Sequence, residues 1–308
     1  MSRFEPRREL GRTGFTVTRL GIGDLADRNL PMETLVATAQ RAIDAGLNLI
    51  DTAPGYEDGY SEEIVGQAVK GVRDRMFVID KIDDLDAPVE PQIDASLQRL
   101  QLEHTDAFVF HSLSSMETFR RLSESGGGFD QLAQCIQAGK TRFRGISSHH
   151  PDVLIAAIEA GVCDIVMFPV GPFVDVRYIE TVLPLAKARG IGTVCFKTFG
   201  AGKLLGDTTG YNQPLQLRPR GKLSSGGTDE TTAMLPRLSV RECLHYTMTL
   251  DPDVALLGLS FPNEQDAAFA AAEEFEPLSA SAIATIQRRA VEARAEKGPC
   301  WWNPDPTE

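Results

Sequence analysis

A parallel (β/α)8 TIM barrel of the α/β class is the fold that the sequence predicts, on three observations. Eight short runs rich in β-branched residues alternate with helical patterns along the chain, and that count closes a barrel of parallel strands. No GxGxxG follows the first run, where an open doubly wound sheet would carry its dinucleotide fingerprint. The 308 residues suit one barrel, so residues 1–308 are expected to form one domain.

The elements follow in order. Residues 9–18, ELGRTGFTVT, alternate with period two about a Thr-Gly turn and predict a hairpin capping the barrel floor. Strands are expected at 19–23, 47–51, 76–81, 107–111, 142–147, 165–168, 192–197 and 254–258, each the length of a buried strand. Helices are expected at 32–45, 61–70, 91–100, 116–138, 151–160, 177–188, 239–250 and 264–275. Gly46, Gly139, Gly161 and Gly190 each end a helix just before a strand. The connection after the seventh strand, 198–236, is far longer than an ordinary βα loop and rich in Gly, Thr, Ser and Pro.

Composition narrows the function. Acidic residues outnumber basic ones 43 to 31, a net charge of -12 that disfavours nucleic acid and anionic membranes as partners. The opening MSRFEPRREL holds no signal-peptide core, and no apolar run approaches the ~18 residues of a membrane span. Cys135, Cys163, Cys195, Cys243 and Cys300 are scattered without a CxxC pair. They read as reduced, mostly buried thiols, and the expected location is cytoplasmic. Against the acidic background, residues 197–222 carry Lys197, Lys203, Arg218, Arg220 and Lys222 with one acid, Asp207. This local reversal suits an anionic ligand, and the loop is expected to be mobile alone and to order on binding it; a solvated loop is the plainer alternative.

Chemistry in a barrel sits at the carboxyl ends of its strands. Here the second, third and fourth strands end in Asp51, Lys81 and His111, one βα repeat apart, and Tyr56 follows Asp51 in the next turn. Apolar strands that end repeatedly in ionisable groups point to a site, the alternative being a rim salt bridge between Asp51 and Lys81. His149-His150 has no third ligand at suitable spacing, so no metal is expected.

The segment from Gly46 through Asp51 to Tyr56, followed by Ser61-Glu62 and Gly66, resembles the aldo-keto reductase signature. Lys81, His111, the Gly139-Lys140 and Gly145-Ile146-Ser147-Ser148 segments, and the opening ELGRTGFTVTRLGIG are similar to that family too. The resemblance, from about Arg8 to Glu274, implies a barrel that binds a nicotinamide dinucleotide and reduces carbonyl groups. Asp51, Tyr56, Lys81 and His111 then form a catalytic tetrad. Tyr56 would be the general acid in reduction and base in reverse, and Lys81 would bring the phenol toward neutral pH, since a free phenol titrates near ~10. Asp51 would hold Lys81, and His111 would bind the carbonyl oxygen.

The same resemblance implies cofactor contacts. Ser147-Ser148 stand where the family has a Ser-Asn pair for the carboxamide, Met167 where it has glutamine, and Gly171 where it has asparagine. Phe196, Lys197, Thr198, Gly200, Gly202 and Leu205 match the pyrophosphate loop, with Lys197 or Lys203 supplying charge, and Ser260, Glu264 and Gln265 match the adenosine segment. Asp51 is expected near the cofactor as well. NADP(H) is the family default, but no Arg or Lys lies between Gly258 and Phe275 for a 2′-phosphate. Glu264 would instead suit the ribose of NAD(H). Residues 24–30, Phe173 and the Trp301-Trp302 pair are candidate pocket walls, the tryptophans being alternatively a packed tail or a subunit contact. Two rivals remain: a redox-sensing regulatory subunit of this fold with little turnover, and a barrel enzyme using the basic loop for a substrate phosphate. Monomer and homo-oligomer are both left open.

Overall fold

The structure, a computed structural model, describes residues 4, 6–205, 236–295, 297 and 300–304. Strands β1 (Arg8–Glu9) and β2 (Thr16–Val17) pair antiparallel. Eight parallel strands then close a barrel: β3 (Leu20–Ile22), β4 (Leu49–Asp51), β5 (Phe77–Ile82), β6 (Thr105–Phe110), β7 (Thr141–Ser147), β8 (Ile165–Pro169), β9 (Gly192–Phe196) and β10 (Val254–Leu257). Each bonds to the next and β10 returns to β3. Around them run α1 (Met32–Asp44), α2 (Tyr60–Val69), α3 (Val89–Leu100), α4 (Met116–Leu122), α5 (Gly128–Gln137), α6 (Pro151–Ala160), α7 (Leu183–Ala188), α8 (Val240–Leu250), α9 (Pro262–Glu273) and α10 (Ala280–Arg294).

The barrel follows from strands apolar on both faces, since helices cover one side and the barrel interior the other. All six residues of β5 are buried, Asp80 and Lys81 included. Phe77, Ile79, Val109, Ile165 and Val194 fill the interior. The opposite faces pack against the inward stripes of the helices, as with Leu35, Thr38, Ala39 and Ala42 of α1. Each large apolar side chain so buried contributes about 1.5–3 kcal/mol. Leu10 and Val17 of the amino-terminal hairpin join the interior cluster, and Arg12 N donates to Gly190 O at 2.7 Å. The hairpin thus closes the barrel floor, as its alternation predicts.

Three differences have local causes. The helix expected over 116–138 is two helices, because Gly126, Gly127 and Gly128 interrupt it and Gly126 takes φ +75°. The segment expected as a helix over 177–188 begins with a π turn, Tyr178–Val182, before α7. Helix α10, capped by the Ser279 side chain, extends the helical layer beyond the residues assigned from periodicity. The central part of the long connection, with Asp207, Arg218, Arg220 and Lys222, lies outside the described residues. No helix among the described residues is long and apolar enough to cross a membrane.

Candidate active site

At the carboxyl mouth the parallel register brings distant residues together. Asp51 closes β4 opposite Ile79, two residues before Lys81 on β5. Lys81 is 2% exposed. Its ammonium lies 2.8 Å from each Asp51 carboxylate oxygen and donates to Thr52 O at 2.7 Å. A buried charge needs such pairing. The Nζ also sits 4.4 Å from the centre of the Tyr56 ring. Tyr56 is carried by the turn between β4 and α2. Thr52 Oγ1 donates to Ser61 Oγ at 2.9 Å, and Ser61 N donates to Tyr56 O at 3.3 Å, so the first turn of α2 holds that turn in place.

His111 directly follows β6, its backbone bonded to Ile82 O at 2.9 Å. Its ring meets Tyr56 edge-on, with centroids 5.5 Å apart. The structure therefore assembles Asp51, Tyr56, Lys81 and His111 from three adjacent strands. It also adds a residue the sequence reading missed. Asp83, one residue beyond β5, has Oδ1 2.5 Å from His111 Nδ1, while its Oδ2 accepts from Gly55 N at 2.5 Å. Its position one residue past a strand end was the available signal.

The electrostatics correct one expectation. Burial raises the Tyr56 phenol to about 12, and the nearby Lys81 ammonium lowers it without offsetting that burial. The phenol is therefore protonated at neutral pH rather than brought toward it. Burial alone would lower the Lys81 value, but Asp51 and then Tyr56 outweigh it and hold the ammonium charged. Burial raises Asp51, and Lys81 draws it back. Asp83 lies below the usual carboxylate range: burial acts against this, but the His111 hydrogen bond and charge and the Gly55 N–H prevail.

Across the mouth the remaining sequence candidates gather on β7 to β10. Ser147 and Ser148 are buried at the end of β7, with Ser148 N donating to Met167 O at 3.0 Å. The Met167 side chain packs in the barrel interior and that of Leu205 in an outer core with Tyr246 and Ile286. His149 packs on Phe196 and on Trp301, centroids 5.2 and 4.5 Å away. Burial, then the charges of Lys197 and His111, push its imidazole down to about 3.

Lys197, at φ +70°, holds its ammonium 4.4 Å from the Trp301 ring centre and 5.6 Å from that of Trp302. Burial lowers it to about 8, and no carboxylate among the described residues pairs with it. Beside it, the buried Thr198 Oγ1 has no hydrogen-bond partner among the described residues. Lys203 faces elsewhere: it is buried and donates to Lys297 O, while Lys297 Nζ returns a bond to Lys203 O at 2.7 Å. Glu264 accepts from Ser260 N at 2.7 Å. Gln265 is buried, donating to Thr38 O and Leu259 O and accepting from Arg41. Trp302 is fully buried with its indole N–H on Phe173 O, whereas Trp301 is 54% exposed.

Residues 19–288 match the model of the Aldo/keto reductase family. The chain is 28% identical over 229 residues to the NADH-specific methylglyoxal reductase of Escherichia coli, a match covering 65% of this chain and 69% of that one. It is 29% identical over 214 residues to L-galactose dehydrogenase of Arabidopsis thaliana, covering 64% and 66% respectively. Among solved structures, a holo aldo-keto reductase from Bacillus halodurans superposes with a TM-score of 0.69 at 22% identity, over 92% of this chain and 95% of that one. An aldo-keto reductase from Klebsiella pneumoniae in complex with NADPH gives 0.66 at 19% identity, over 91% and 93%.

Proposed function

Because the chain belongs to the aldo/keto reductase family, we infer that it reduces aldehyde or ketone carbonyls to alcohols with NADP(H), NAD(H) being the alternative. The observation that carries this reading is a half-buried tyrosine 4.4 Å from a buried, carboxylate-paired ammonium at a barrel mouth.

Residues fit for a dinucleotide support it. A Lys197 ammonium and a Thr198 hydroxyl without polar partners among the described residues, with Gly200 and Gly202 at positive φ, form a cradle suited to a pyrophosphate. Ser147 and Ser148 would hold the carboxamide, Phe196 would face the nicotinamide, and Ser260 and Glu264 would take the adenosine end. Met167, Leu205 and Gln265, whose side chains serve the core, would contribute mainly through shape and backbone. The bound dinucleotide supplies hydride to the carbonyl carbon.

The protein's own part is proton transfer and orientation. Negative charge developing on the substrate oxygen is more basic than a phenolate, so a phenol kept protonated by burial still donates to it. Lys81 stabilises the phenolate left behind, and Asp51 fixes the lysine. His111 orients the oxygen. The two named relatives act on methylglyoxal and L-galactose, so short 2-oxoaldehydes and sugars belong in the substrate panel. Tyr56→Phe should lower turnover on that panel by ~10²–10⁴-fold. Fluorescence titration of NADPH should meanwhile give nearly unchanged affinity. A variant keeping more than a tenth of the rate sinks the assignment of Tyr56. Tight cofactor binding by the wild type with no turnover on the panel would favour the redox-sensor reading instead.

A further inference from the structure

Asp83 serves two neighbours with its two oxygens. Oδ1 lies 2.5 Å from His111 Nδ1, and Oδ2 accepts from the backbone N–H of Gly55, beside Tyr56, also at 2.5 Å. A Cβ at position 55 would come 2.5 Å from Oδ2, so the carboxylate keeps this placement only beside glycine. One carboxylate therefore links the turn that carries Tyr56 to the ring of His111.

The contact decides which ring nitrogen carries a proton. A carboxylate has only acceptors to offer, so the Nδ1 facing it must be the N–H donor. Nε2 has no hydrogen-bond partner among the described residues. In the neutral imidazole so fixed, Nε2 is a lone-pair acceptor and cannot donate to a carbonyl oxygen. It becomes a donor only when the ring takes a second proton.

We propose that Asp83 is a positioning residue that locks His111 as the Nδ1–H tautomer, so that His111 donates to the substrate carbonyl only as an imidazolium paired with Asp83. The role in reduction rests on the carbonyl-reductase reading; the tautomer does not. Other groups act on the ring as well. Asp51 on β4 and Lys81 on β5 are the charged groups beside it, Lys197 lies beyond His149, the Tyr56 phenol and the His149 imidazole are uncharged at neutral pH, and Asp83 is the one carboxylate in contact among the described residues. The pair also sets what the ring offers a substrate: the imidazolium gives a ketone or aldehyde oxygen an N–H donor, whereas the neutral ring offers it only a lone pair.

The test has two readouts. Long-range ¹H–¹⁵N spectra of the ¹⁵N-histidine-labelled full chain should show His111 with Nδ1 protonated and Nε2 bare above its titration, whether or not the protein turns over any carbonyl. Asp83→Asn should release the lock and populate the Nε2–H tautomer. In kinetics, Asp83→Asn should lower kcat for reduction about 10–100-fold, taking as a guide the loss seen when a carboxylate that orients a metal-bound histidine is removed. Its alkaline limb should flatten relative to the wild type, because the released neutral ring can donate through Nε2–H without a second proton. NADPH affinity should stay within about threefold. An Nε2–H neutral tautomer in the wild-type spectrum overturns the proposal outright, even if every variant misfolds. So does a folded Asp83→Asn protein with the wild-type tautomer and pH profile. Absence of turnover alongside the expected spectrum would sink the carbonyl-reductase reading and leave the lock standing.

Discussion

The two sides of the barrel mouth are built on opposite terms. On the β4–β6 side the charged groups of the site are paired: Asp51 holds Lys81, and Asp83 bridges Gly55 and His111. On the β9 side the ammonium of Lys197 rests among aromatic rings with no carboxylate among the described residues, next to a threonine hydroxyl that has no partner among them. The first side is preorganised, with donors and charges fixed before any ligand arrives, as electrostatic catalysis requires. The second is electrostatically incomplete. A desolvated cation and a buried orphan donor both carry a penalty that an anionic ligand would relieve.

The most severe way to break the preorganised side, short of removing Tyr56 itself, is Lys81→Met. Turnover should fall on the order of 10²-fold or more. The pH dependence then separates an electrostatic role from a purely structural one. On the role proposed for Tyr56, reduction needs the phenol and oxidation the phenolate. With the Tyr56 value pushed up to about 12, alcohol oxidation by the wild type should climb with pH through the alkaline range while the phenol stays available for reduction. Lys81 lowers that value, so its loss raises it and moves the oxidative climb to still higher pH. A Lys81→Met enzyme slowed equally at every pH would make the ammonium a mere spacer.

The incomplete side predicts a binding effect instead. Lys197→Met should weaken NADPH by ~1.5–3 kcal/mol, the range for a charge-assisted hydrogen bond, with salt weakening the wild type more than the variant. Fluorescence titration at two ionic strengths measures both. Unchanged affinity and salt dependence would remove Lys197 from the pyrophosphate site.

The two sides were also unequally legible in the sequence. Asp51, Lys81 and His111 stand out because strand ends repeat every βα unit, and periodicity alone delivers them to one rim. The eight strands were readable for the same reason: buried runs of four to six apolar residues leave few alternatives. Asp83 was not readable, because its meaning depends on the reach of His111 and the missing Cβ of Gly55, both set by pairing between strands. Lys203 and Gln265 show the converse. Their types and positions suit a ligand, yet tertiary packing uses their polar atoms internally, on Lys297 in one case and on Thr38, Leu259 and Arg41 in the other. The divided helix at Gly126–Gly128 is visible as three glycines, whose backbone freedom outweighs the helical period around them.

The smallest effect bears on what covers the incomplete side. Trp301 and Trp302 are the chain's only tryptophans, and they lie side by side in the tail. Trp302 is anchored by its own indole N–H on Phe173 O and by the Tyr178 hydroxyl on its carbonyl, which leaves Trp301 free to lie over Lys197 and His149. A cation over an indole face is worth about 0.5–2 kcal/mol, and a phosphate oxygen competes for the same ammonium. If Trp301 stands in for the anion, Trp301→Ala should tighten NADPH binding by a few-fold at most, and NADPH should shift wild-type tryptophan emission toward that of a more exposed ring. The one other source of tryptophan emission, the buried Trp302, remains in Trp301→Ala and supplies the reference spectrum. Weaker binding by the variant would give Trp301 the opposite role, a wall of the occupied site, and would make the β9 side more complete than its unpaired ammonium implies.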